Sequence, residues 1–135
     1  DRILNALTYA LAGISAISLL VAGILIMNVM LVSVAQRKGE IGLLKALGAR
    51  EPEIRQLFLL EALLLSEGGV LTGALSGYAI ATLVALRYPS FPIAVPWWGA
   101  VAGIVTALAF GLIFGVRPAR KAARLDPVQA LTGRG

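Results

Sequence analysis

The side chains able to do chemistry in this sequence are few: three lysines, nine arginines and seven carboxylates, with no histidine and no cysteine among 135 residues. Their absence removes disulfides, thiolate or imidazole nucleophiles, Cys/His zinc sites and haem ligation. Phosphate chemistry is equally constrained. A phosphate loop places glycine directly before its lysine, whereas Lys38, Lys45 and Lys121 follow Arg37, Leu44 and Arg120. The chain is therefore expected to bind no ATP through that motif, to hold no cofactor or metal of its own and to form no catalytic centre. What remains are polar residues in apolar surroundings. Asn28 is expected to make a helix–helix hydrogen bond worth about 0.6–2 kcal/mol. Glu61 sits near the edge of an apolar stretch and can snorkel. Glu67 lies about 9 Å deeper along a helix and must face protein or water if ionised, though no second buried ionisable residue is at hand for a proton relay.

The elements that position these residues follow from composition. The chain is 59% apolar and 14% charged, with a mean hydropathy of +0.87, against about 25% charged for an ordinary soluble domain. Residues 3–36 carry no charge over 34 positions, beyond the ~20 that span a bilayer. Residues 57–86 are apolar except for Glu61 and Glu67, and residues 97–116 carry no charge. The expected fold is an all-α membrane protein of one small unit: a long transmembrane or stalk helix over 1–36, a helical connection over 37–51, a second transmembrane helix over 52–87, a loop over 88–96, a third transmembrane helix over 97–117 and a basic tail over 118–135.

Three spans put ten of the twelve basic residues on one side, leaving Arg2 and Arg87 opposite. The positive-inside rule makes the connection and tail cytoplasmic and the N-terminus external. Because the basic residues flank spans and form no face of a soluble fold, nucleic acid is not an expected partner. Pro89, Pro92 and Pro96 favour extended backbone in the outer loop, and Tyr88, Trp97 and Trp98 fit an interfacial aromatic belt. The first span is too long for a signal peptide and ends in a basic stop-transfer cluster. The chain begins with Asp1, which reads as part of a longer chain or a processed product. As one helix, residues 3–36 extend about 50 Å against ~30 Å of hydrocarbon, so the helix either overhangs at its outer end or tilts strongly.

In the connection, Ile41, Leu44 and Leu47 recur every third residue beside Glu40 and Lys45, which predicts a short helix with one apolar face, ended by Gly48. Glu51, Pro52 and Glu53 read as the start of the next helix. The short helix is either interfacial, resting in the headgroups, or an inserted contact for a cytoplasmic partner. Small residues at four-residue spacing, Gly69, Gly73 and Gly77 on one stripe and Gly99, Gly103, Ala107, Gly111 and Gly115 on another, predict close helix packing within the bundle or at a dimer seam. The adjacent Gly68 and Gly69 would loosen or kink the second span.

Three blocks of sequence carry a resemblance. Gly-Ile-Leu-Ile-Met-Asn-Val-Met-Leu-Val-Ser-Val at 23–34, Arg37 with Glu-Ile-Gly-Leu-Leu-Lys-Ala-Leu-Gly-Ala at 40–49, and Pro-Ala-Arg-Lys-Ala-Ala-Arg-Leu-Asp-Pro-Val-Gln-Ala-Leu at 118–131 resemble the C-terminal membrane region of MacB/FtsX-type ABC-transporter permeases, the MacB branch most closely. The resemblance implies a four-span permease in which one helix precedes a large extracytoplasmic domain and three follow it, this chain being similar to the latter three. It further implies that the connection is a coupling helix docking in a cleft of an ABC ATPase, and that two long helices form a stalk transmitting nucleotide-driven motion. Arg37, Glu40, Ile41, Gly42, Lys45, Ala46, Gly48 and Ala49 fall in that segment, with the Ile41, Leu44 and Leu47 face meeting the ATPase. Implied partners are that ATPase, fused or separate and holding ATP and Mg, a second permease copy, the upstream domain and the lipid of the bacterial plasma (inner) membrane. Cargo in the family ranges over macrolides, peptides, toxins and lipoproteins. Glu67 departs from the pattern, which usually has an apolar residue before the glycine pair. A holin-like pore former would also have three short spans and a basic tail but has no reason to place a structured helix between the first two, and a passive scaffold would use the glycine stripes only for packing.

Overall fold

A computed structural model describes residues 1–90, 93–94 and 96–133; Pro92 of the outer loop and Arg134 of the tail lie outside them. The chain forms α1 (Arg2–Gln36), α2 (Lys38–Ala46), α3 (Glu51–Arg87), α4 (Trp97–Ala123) and α5 (Pro127–Thr132). α1, α3 and α4 are long and apolar enough to cross a membrane. At 1.5 Å per residue they measure roughly 52, 55 and 40 Å, so each exceeds the hydrocarbon layer. Helix is the form that satisfies backbone groups in lipid, and the hydroxyls in the spans do likewise: Thr8, Ser15, Ser66, Thr72, Ser76 and Thr106 each donate to the carbonyl four residues back.

α4 is the central element, packed along α3 and also against α1, while α1 and α3 touch sparingly. The core gathers at one end of the bundle: Met30 and Val34 of α1, Ile41 of α2, Ile54, Phe58 and Ala62 of α3, and Ala119, Ala122 and Ala123 of α4. Residues 2–18 of α1 and 71–80 of α3 are exposed throughout in the single chain.

α4 continues seven residues past the charge-free span and through Pro118. A proline inside a helix costs about 3 kcal/mol through its missing N–H and its clash with the preceding turn. Here Pro118, Ala119, Ala122 and Ala123 are all buried, and that packing offsets the cost. The tail is folded as well. Asp126 caps α5 by accepting from the Val128 N–H at 2.9 Å, Pro127 occupies the first turn, and Gly133 ends the helix in the left-handed region at φ 68°. Asp126-Pro127 is itself the sequence signal for this helix start.

Candidate functional site

Arg37 makes the corner between α1 and α2. Its φ of −104° and ψ of 18° leave helical geometry for one residue, and α2 begins at Lys38. The guanidinium reaches both neighbouring helices: Nε donates to Glu40 at 3.0 Å, Nη1 to Glu61 at 3.3 Å, and the group sits 5.7 Å from the Phe58 ring centroid. The Glu40 hydrogen bond, joined by the charges of Glu40 and Glu61 and opposed by partial burial, raises the Arg37 pKa. Glu61 is thus an ion-pair partner of Arg37, joining α3 to the corner between α1 and α2.

α2 is fixed along one side. Ile41 is 2% exposed, inside the core. Gly42 is buried against α5, where a Cβ would lie 2.8 Å from the Ala130 Cβ and 3.3 Å from the Leu131 Cγ. Lys45 Nζ donates to the Leu125 carbonyl at 2.7 Å, tying α2 to the joint between α4 and α5. Gly48 ends the helix with φ 102°, open only to glycine at low cost, while the Gly48 and Ala49 N–H groups close on the Lys45 and Leu44 carbonyls at 3.0 Å. Ala49 packs against the core, and the Glu53 carboxylate accepts from the Arg50 backbone N–H at 2.9 Å to start α3.

The expected apolar face therefore divides. Ile41 is internal, so it and Gly42 are not available to a partner. Leu44 and Leu47 are exposed, at 41% and 79%, together with Leu43 at 54%, beside exposed Glu40 and Ala46. The physical reason is angular: steps of three residues fall about 60° short of a full turn, so Ile41, Leu44 and Leu47 fan over about 120° and cannot share one contact. Leu43, four residues before Leu47, belongs to the outward face; its signal was the i, i+4 pair.

The small residues divide too. A Cβ at Gly111 would fall 2.7 Å from Ser66 Oγ and one at Gly115 2.6 Å from the Ala62 Cβ, so these glycines seat α4 on α3. Gly103 is looser, 3.8 Å from Val70, and Gly69, Gly73 and Gly77 face open space in the single chain. Gly23, not singled out by spacing, packs on the Phe114 ring. Asn28 is exposed on α1 and makes no side-chain hydrogen bond among the described residues, so the expected helix–helix bond is not formed within this chain. Glu67 Oε1 is shielded and has no hydrogen-bond partner among the described residues.

These features define a polytopic all-α membrane protein with a braced, leucine-bearing helix turned outward at one end of the bundle. The FtsX-like permease C-terminal family model matches residues 12–127, and the chain belongs to that family, the permease part of ABC transporters. It is 45% identical over 126 residues to a macrolide export ATP-binding/permease protein MacB of Bradyrhizobium diazoefficiens, covering 93% of this chain and 19% of the relative. It is 48% identical over 132 residues to a pyoverdine export ATP-binding/permease protein PvdT of Pseudomonas savastanoi, covering 97% and 20%. A third relative, the ABC transporter permease YknZ of Bacillus subtilis, is 43% identical over 125 residues, covering 93% and 31%. The chain thus spans about a fifth to a third of the length of these relatives.

Proposed function

We propose that this chain is the membrane segment through which a cytoplasmic ABC ATPase, fused or separate, drives export or mechanical work on the far side of the membrane. Nucleotide and Mg belong to that ATPase. α2 is its docking element, presenting Leu43, Leu44 and Leu47, and the basic connection and tail are cytoplasmic. α1 and α3, both longer than the bilayer, carry displacement outward to an extracytoplasmic domain. A second permease copy completes the transport unit and covers faces such as Gly69, Gly73 and Gly77. Cargo selection lies mainly outside these spans: relatives named for macrolide and for pyoverdine export are both at least 45% identical to this chain.

The observation that carries the reading is an exposed leucine cluster on a helix held rigidly by Ile41, Gly42 and Lys45. Apolar side chains fixed outward beyond the spans have little reason to be there without a partner. In the complete transporter, Leu44→Asp and Leu47→Asp place a carboxylate in that contact, costing at least about 2 kcal/mol, or roughly thirtyfold in ATPase affinity. Both variants should insert at normal levels, lose ATPase association and lose transport. An interfacial helix resting on lipid would instead show weakened membrane anchoring with ATPase binding intact. If both variants bind the ATPase and transport as the parent does, the docking role of α2 is wrong.

A further inference from the structure

The coupling surface leaves one strongly charged face unused. Arg117, Arg120 and Lys121 of α4 and Arg124, its C-cap, recur at i, i+3, i+4 and i+7, share one side and are all exposed. With Ile113, Val116 and Leu125 they line a shallow cavity of about 600 Å³. The other side of the same turns, Gly115, Pro118, Ala119, Ala122 and Ala123, is buried in the bundle, so the cations are directed away from it. No carboxylate among the described residues pairs with any of the four; both ion pairs there use Arg37.

Depth in the bilayer follows from the same helix. Trp97 to Val116 is 20 charge-free residues, about 30 Å of helix, which matches the hydrocarbon thickness. Trp97 and Trp98, 80% and 62% exposed, mark one boundary. Arg117 then falls at the other, and Arg124 lies about 10 Å further out, at the margin of the headgroup layer. At that depth Ile113 and Val116 would lie among acyl chains and the cations at the level of the phosphates.

The geometry points to a binding site for an anionic phospholipid on this face, its acyl chain against Ile113 and Val116 and its headgroup phosphate held by Arg117, Arg120, Lys121 and Arg124. Guanidinium groups match phosphate oxygens in bidentate fashion, and a cationic cluster just beyond a span favours lipids whose headgroup adds no balancing ammonium. Bound lipid would fix the depth and rotation of α4, the helix on which α1 and α3 both pack. This inference needs only that α4 spans the bilayer and does not depend on ATPase docking at α2.

The test uses the full-length permease in neutral detergent, titrated with phosphatidylglycerol, phosphatidylcholine or inorganic phosphate, with bound lipid counted by native mass spectrometry. Phosphatidylglycerol should bind at least tenfold more tightly than phosphatidylcholine and should not be displaced by millimolar inorganic phosphate. Changing all four cations to glutamine should lower phosphatidylglycerol affinity at least tenfold, and the paired variants R117Q/R120Q and K121Q/R124Q should each give part of that loss. The R117K/R120K/K121R/R124K variant, which keeps all four charges but gives up most of the bidentate geometry, should bind phosphatidylglycerol more weakly than the parent and more tightly than the glutamine variant, which separates site loss from misfolding. Displacement by inorganic phosphate would mean a free phosphate site and overturn the lipid assignment. Unchanged phosphatidylglycerol binding in the glutamine variants, with or without loss of ATPase association, would overturn it as well and leave the face to a protein partner.

Discussion

Gly115 and Gly73 are both helical glycines on small-residue stripes, and their surroundings give their substitutions opposite signs. Replacing a helical glycine with alanine gains about 1 kcal/mol of helix propensity. At Gly115 the new Cβ would meet the Ala62 Cβ at 2.6 Å, an atom bonded directly to the α3 backbone that cannot rotate aside. Overpacking of that kind costs about 1–3 kcal/mol and forces the helices apart. Gly115→Ala should therefore lower the thermal stability of the detergent-solubilised monomer, while Gly73→Ala, with nothing within 4 Å in the single chain, should leave that of the monomer unchanged or raise it. Equal effects of the two would mean that α4 does not seat on α3 at Gly115. Arg37 illustrates the reverse case of strong geometry with modest energy. Its side chain is 40% exposed and Glu61 36%, so solvent screens both of its ion pairs. Because Arg37 is raised, its contribution is fully present below the ordinary arginine value and disappears only as pH climbs past the raised one, beyond any physiological range.

Among the elements, α2 is the one whose position depends most on others. It is too short to be stable by itself, at 9 residues, and is held by the core through Ile41, by α5 through Gly42 and by the joint between α4 and α5 through Lys45. α5 in turn is a single capped helix of 6 residues with no buried residue of its own. The two therefore stand or fall together. Gly42→Val would drive a side chain into Ala130 and Leu131 and undock α5. The strain of about 1–3 kcal/mol corresponds to a rise of roughly 5- to 150-fold in the undocked population. Limited trypsin digestion should then cut faster after Arg124, while the three spans remain inserted. An unchanged cleavage rate would mean that α5 does not brace α2.

For the whole molecule, the uneven charge makes a prediction about sidedness. The chain contains no cysteine, so single introduced ones report without background from it. Gly39 is exposed in α2 with nothing within 4 Å, which makes it a better probe than Lys45, whose ammonium is engaged with Leu125. In intact cells an impermeant thiol reagent should label Ser90→Cys and not Gly39→Cys, and permeabilisation should expose both. Labelling of Gly39→Cys from outside would invert the topology and remove α2 from any cytoplasmic ATPase.

The sequence by itself determined the properties that run along the chain. The long uncharged stretches define three membrane helices because the bilayer sets a minimum apolar length, and a short helix within the 37–51 connection was visible in its periodicity and in Gly48, the structure setting its bounds at 38–46. Family membership was legible in blocks of residues such as 40–49 and 118–131, whose order is itself the signal. Which way a residue points around its helix is a different kind of quantity, since it depends on rotation and crossing relative to neighbours. Only the tertiary structure decided that Ile41 turns inward while Leu43, Leu44 and Leu47 turn out. It likewise decided that Gly111 and Gly115 meet α3 while Gly69, Gly73 and Gly77 meet nothing in the single chain. Pro118 shows the same limit from the other side: local preference argues for a helix end before it, and burial among alanines 119, 122 and 123 overrides that preference.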